Sequence, residues 1–128
     1  MVTLTATMSA IDPHIRGADR VRAVFSRVRQ GDSSVADLYA EDAVLTYSGG
    51  GRVEGREAIR AFYQQQIELI RPRPDVMAVI EDPPLYVAVV EVPTSEGHHR
   101  ALDLFEVDDS GIRRLEIYSQ GQASGRSG

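Results

Sequence analysis

LYVAVVEVPTSEGHHRALDLFEV, residues 85–107, reads as two strands joined by a turn too short for anything but an antiparallel hairpin. Leu85–Thr94 and His98–Val107 both alternate in character with a period of two. Taking Glu96-Gly97 as a two-residue turn pairs Ser95 with His98 and sets Val90 opposite Asp103. One face of the second strand then carries His99, Ala101, Asp103, Phe105 and Val107, and the other carries Arg100, Leu102, Leu104 and Glu106. Tyr86, Ala88, Val90 and Val92 join the Asp103 face. Two further runs flank the hairpin, Val76–Glu81 before Pro83-Pro84 and Ile112–Gln120 after Asp108-Asp109-Ser110-Gly111. Links this short predict a continuous antiparallel meander, with Leu115, Ile117 and Ser119 extending the Asp103 face.

Upstream of the meander the period changes. Val21, Val24, Phe25 and Val28 recur at i, i+3, i+4 and i+7, the inward stripe of an amphipathic helix over 18–30, with its arginines mostly on the other side. Gly31-Asp32 ends it, and Asp32 or Ser33 can cap a second helix over 33–40 carrying Val35, Leu38 and Tyr39. A strand at Ala43–Tyr47 and a brief one at Arg52–Glu54 flank Ser48-Gly49-Gly50-Gly51. Those glycines suit a turn or a phosphate cradle, and no GK[ST] signature follows them. Ile59, Phe62, Tyr63 and Ile70 mark a third helix over 56–70, stopped by Arg71-Pro72-Arg73-Pro74. Three helices and then a meander make an α+β fold with the helices on one face of the sheet. Residues 1–17 read as a flexible N-terminal arm, 18–120 as one domain, and 121–128 as a disordered Gly/Ser-rich tail.

At 128 residues, 42% hydrophobic and 26% charged, the composition is that of a single globular domain. A net charge of −5 opposes a nucleic-acid role, since neutralising phosphates needs a basic surface. All 14 basic residues are Arg, which reads as the codon bias of a GC-rich bacterial genome. The lack of Lys excludes a Schiff-base lysine and a P-loop lysine. With no cysteine there is neither a disulfide framework nor a thiolate metal site. His98 and His99 point to opposite strand faces and cannot share one ion, so no metal or other cofactor is expected. No apolar run reaches the length of a membrane span, and the opening residues lack the form of a secretion signal. The expectation is a cytoplasmic protein that meets neither membrane nor nucleic acid.

Leu38-Tyr39-Ala40-Glu41-Asp42-Ala43, Val53-Glu54-Gly55-Arg56-Glu57-Ala58-Ile59, Ala61-Phe62-Tyr63 and Phe105-x-x-Asp108-x-x-Gly111-Ile112 stand at spacings that resemble the SnoaL-like, nuclear-transport-factor-2-like superfamily, which includes ketosteroid isomerase. The resemblance covers roughly 18–120. It implies a cone-shaped barrel, three N-terminal helices packed on a strongly curved, mostly antiparallel β-sheet around one apolar pocket. The superfamily holds isomerases, polyketide cyclases, dehydratases, epoxide hydrolases and non-catalytic members, so the fold does not choose among them. By the ketosteroid isomerase pattern, Asp103 falls on the oxyanion-hole acid, and Tyr39 and Tyr63 on supporting tyrosines. Tyr47 occupies the place of the proton carrier, and the oxyanion tyrosine's place is taken by about Val24. The cyclases place an acid/base aspartate on the late strand that carries Asp103.

Parity and resemblance thus converge on Asp103, a carboxyl group among apolar neighbours whose charged form burial should disfavour. The alternative is a carboxylate solvated at a strand rim or paired to His99 or Arg100. Asp103 and Tyr47 are the catalytic candidates. His99, Tyr63, Tyr39, Tyr86, Val90, Phe105, Ile117 and Ser119 are the candidate substrate contacts. The implied activity is cofactor-independent acid/base chemistry, of isomerase, cyclase or dehydratase type, on a small apolar carbonyl compound. The other reading is a non-catalytic binding or dimerisation module. Leu102, Leu104, Val87, Val89 and Tyr118 form an apolar patch on the outer face, which predicts a homodimer.

Overall fold

A computed structural model describes residues 16–119. The expected arm (apart from its last two residues), the tail and the last residue of the final strand lie outside them. The elements run α1 Gly17–Arg29, a 3-10 segment Ser33–Leu38, β1 Tyr39–Tyr47, β2 Gly51–Glu54, α2 Arg56–Ile70, β3 Asp75–Asp82, β4 Leu85–Thr94, β5 Gly97–Asp108 and β6 Gly111–Ser119. The six strands form one curved sheet in the order β2-β1-β6-β5-β4-β3. All pairs are antiparallel except β1 with β6, which closes the meander onto the first strand in parallel. Register shifts at Tyr39/Val44, Val76/Ala78 and Glu106/Val107 interrupt the ladders, and irregularities of this kind let a sheet bend. The α+β cone expected from the sequence is the fold observed.

The core fills the concave side. Val21, Val24, Phe25 and Val28 of α1 meet Ala88, Val90, Phe105 and Leu115 of the sheet, all buried. The rings of Phe25 and Phe105 pack edge to face with centroids 5.9 Å apart. Ile59 and Tyr63 bury the inner side of α2.

Three sequence expectations need correction. The second helix is a 3-10 segment that ends at Leu38, and Tyr39 opens β1 instead of closing a helix. Asp32 does cap it, accepting from the Ser34 amide at 2.9 Å. Val35, Ala36 and Leu38 give too short an apolar stripe for a stable α-helix. The alternately buried Ala43 and Leu45 carry the strand onward, with the β1 irregularity lying between Tyr39 and Val44.

The β4–β5 turn is Ser95-Glu96, not Glu96-Gly97. Thr94 pairs with Gly97, so Asp103 faces Ala88, and Val90 faces Ala101. Gly97 takes φ +123°, which suits glycine, and the Thr94 hydroxyl accepts from the Glu96 amide at 3.2 Å. The register moves by two residues, so every side chain keeps its predicted face.

Arg20, expected with the other arginines on the solvent side of α1, is buried at 4% exposure. Its charge acts on Asp108, whose carboxyl is held below its ordinary value first by hydrogen bonds to Ser110 and further by Arg113 and Arg20.

Candidate active site

One row of paired residues crosses the sheet, Gly51, Tyr47, Ile117, Asp103, Ala88 and Val79 in order. Alternation along β5 turns Asp103 inward between Ala101 and Phe105, beneath the helices. There it forms part of the wall of a cavity of about 160 Å³. Val24, Phe25 and Val28 close it from α1, and Phe62, Tyr63 and Gln66 from α2. Leu115 and Ile117 share the sheet side with Asp103, and Pro72 and Pro74 complete the lining from the link after α2. An engineered apolar cavity of about 150 Å³ is enough to take up benzene, so this space suits a ring-sized group.

Asp103 is 6% exposed, and among the described residues its Oδ1 has no hydrogen-bond partner. Burial pushes its carboxyl up to about 7. Arg100, the nearest basic residue in the strand, lies on the opposite face and bonds Glu91. A carboxyl group poised near neutrality can both give and take a proton, the property general acid/base chemistry requires.

Beside it the buried hydroxyls of Tyr39 and Tyr63 stand 2.6 Å apart. Burial raises the pKa of Tyr39 well above the ordinary phenol value, with the neighbouring Tyr63 and Asp103 adding to the effect. Burial raises Tyr63 as well, against the opposing effect of the hydrogen bond it shares with Tyr39. Both therefore stay neutral near pH 7. Either hydroxyl can be the donor of this bond; when Tyr39 donates, Tyr63, which lines the cavity, keeps a proton to offer an oxygen atom inside.

The remaining predicted residues disperse. Tyr47 shares the Asp103 row but stands at the rim, 41% exposed, with its ring over Gly51 and stacked on that of Phe62 at 5.6 Å. Tyr86 is buried with its phenol end against Gly17, and Val90 and Phe105 are core residues outside the cavity lining. His99 and Ser119 are exposed near the open end of β5 and β6. So Asp103, Tyr63 and Ile117 line the cavity, and Tyr39 backs Tyr63. Sequence reasoning missed Gln66, Pro72 and Pro74. Gln66 lies three and four residues beyond Tyr63 and Phe62, a polar side chain on an apolar stripe, and that was the available signal. Among the described residues no three His, Cys, Asp or Glu side chains gather as metal ligands. None of the described helices is long and apolar enough to cross a membrane.

A strongly curved six-stranded mixed sheet with helices packed on its inner face is the architecture of the nuclear-transport-factor-2-like class of fold. Residues 21–115 match the SnoaL-like domain family, and the chain belongs to that family. Among solved structures it is similar to an NTF2-like protein of unknown function from Cytophaga hutchinsonii, with 13% identity, a TM-score of 0.73 and coverage of 88% of this chain and 97% of that one. A protein from Sphaerobacter thermophilus is 28% identical at a TM-score of 0.64, covering 80% and 94%. The epoxide hydrolase/cyclase-like enzyme SalBIII, of pyran ring formation in the polyether salinomycin, is 15% identical at a TM-score of 0.67, covering 82% and 91%. No curated protein matches the chain. Likeness at such low identities as 13% and 15% establishes shared architecture and leaves chemistry to the site.

Proposed function

We propose that the protein is a cofactor-independent acid/base enzyme, of isomerase or cyclase type, acting on a small apolar carbonyl compound held in the cavity beside Asp103. The observation that carries this reading is the buried Asp103 carboxyl in an apolar cavity, its Oδ1 without a partner among the described residues, where burial pushes the pKa up to about 7. Asp103 exchanges a proton with the carbon next to the carbonyl, while Tyr63, backed by Tyr39, donates to the oxygen as negative charge grows there. The kinship in fold with a cyclase-like enzyme is consistent with that chemistry. The working form is taken to be a bacterial cytoplasmic homodimer joined through the outer sheet face.

Deuterium exchange tests it. A ring-sized ketone such as cyclohexanone is incubated in D2O and followed by NMR. The native protein should exchange the α-protons well above background, and Asp103→Asn should not. Equal exchange by the two proteins overturns the assignment.

A second reading is a non-catalytic binding pocket. It is favoured by the cavity lining, in which Asp103 is the only carboxyl group among the described residues and Tyr47, at the place of the family's proton carrier, stands outside. Binding without exchange would support it.

A further inference from the structure

Behind the cavity lies a second, larger hollow of about 400 Å³, which the proposed chemistry does not use. It opens between the C-terminal ends of α1 and α2, and Val28 and Pro72 belong to the walls of both spaces. The link Arg71-Pro72-Arg73-Pro74 runs along the border of both spaces, with Pro72 shared between them. Its prolines line the inner cavity, while Arg71 and Arg73 line the outer recess. Arg29 ties the link to α1 by donating to the Pro74 carbonyl at 2.9 Å and pairing with Asp75.

The recess is charged unevenly. Arg29, Arg71 and Arg73 face it against one carboxylate, Glu68, and Arg29 is already engaged by Asp75. Neither Arg71 nor Arg73 has an ion pair or side-chain hydrogen bond among the described residues, although the chain carries an excess of acidic groups. Arg71 is also the one non-glycine described with a left-handed backbone, φ 44°, at the end of α2. Glycine or asparagine fits that position with less strain, so backbone geometry does not explain an arginine there.

We propose that the recess is the head-group subsite of the same ligand. The ligand's apolar body occupies the inner cavity, and an anionic head, carboxylate or phosphate, lies between Arg71 and Arg73. The inner space takes about one ring, and the guanidinium groups supply forked donors that match either anion. This rests on the inner cavity being a ligand site, as proposed above, and its failure can be told apart from failure of that reading.

The test is calorimetric titration with ω-phenylalkanoic acids of increasing chain length, their primary amides and the corresponding phenylalkyl phosphates. Binding is measured to the native protein and to an Arg71→Gln/Arg73→Gln double variant. Acids of the best length should bind about five- to tenfold more tightly than their amides at low salt, and the advantage should shrink as salt is added. In the double variant the acid-to-amide ratio should fall to about one with amide binding unchanged. A phosphate tighter than the acid assigns the head to a phosphate, and the reverse assigns it to a carboxylate. Amides that bind as tightly as acids overturn the subsite and leave the inner cavity standing. Acids and amides that both fail to bind remove the cavity reading and the subsite with it. Both arginines also follow the C-terminal end of α2, where a cation offsets the helix dipole. If that is their whole role, the double variant melts lower but keeps the native acid-to-amide ratio, which equally overturns the proposal.

Discussion

Tyr39 and Tyr63 meet hydroxyl to hydroxyl at 2.6 Å in the interior, one from the first residue of β1 and the other from the inner side of α2. Removing either hydroxyl takes this bond away from its buried partner. Tyr39→Phe and Tyr63→Phe should each cost about 1–2 kcal/mol, and the double variant should cost less than their sum by about 1 kcal/mol. Urea denaturation of the four proteins measures this. Additive losses would mean that the bond contributes nothing to stability.

Gly111 begins β6 at φ +123°, and a Cβ there would lie 2.9 Å from the Leu38 carbonyl oxygen and 3.1 Å from the Ala40 nitrogen. Both the backbone conformation and the space require glycine. Gly111→Ala should destabilise the fold by about 1–3 kcal/mol. A shift in the denaturation midpoint equivalent to less than about 0.5 kcal/mol, the scale of a neutral surface change, would contradict this account of the β1–β6 junction.

The outer sheet face carries two apolar rows, Ile80, Val87 and Leu104 in one, and Ala78, Val89, Leu102 and Tyr118 in the other. Ile80, Leu102 and Tyr118 are 59%, 46% and 55% exposed in the single chain. Self-pairing of this face would cover them. Light scattering at micromolar concentration should report about twice the chain mass, and Leu102→Glu should give a folded monomer. A native monomer would refute the pairing.

Most of this architecture could be read from period and punctuation. The helical stripe of Val21, Val24, Phe25 and Val28 and the two-residue alternation through Leu104 and Phe105 each allow one solution. The inward direction of Asp103 is the same for a turn at Ser95-Glu96 as for one at Glu96-Gly97, because the two registers differ by an even number of residues. What stayed hidden depends on distance in three dimensions. Nothing local tells Tyr39 that it starts a strand, because its pairing with Ile112 closes across 73 positions of sequence. Likewise the Arg71–Pro74 link announces a helix stop, while its role as a cavity wall exists only once α1 packs against it.

The ionisation of Asp103 should govern how stability varies with pH. Below about 3.8 its carboxyl is protonated in both folded and unfolded chains, and its burial carries no electrostatic penalty. As pH rises the unfolded chain ionises while the folded one holds its proton, so stability falls until pH passes about 7. The full effect is at most about 4 kcal/mol. Asp32 and Asp108, held low chiefly by hydrogen bonds to Ser34 and Ser110, act with the opposite sign at acid pH. The difference between native protein and Asp103→Asn isolates the wanted contribution. The variant should gain on the native protein from pH 4 to 7 and level off above it. A constant difference across that range would contradict the burial argument.

The most direct test follows the Asp103 carboxyl itself. Carbon-13 NMR of aspartate-labelled protein, with Asp103→Asn to assign the Asp103 signal, reports its titration between pH 3 and 9. A midpoint near 7 is expected, where one carboxyl group can act as both acid and base. A midpoint near 4, that of a free aspartate, would contradict it and leave the cavity without its proposed catalytic group.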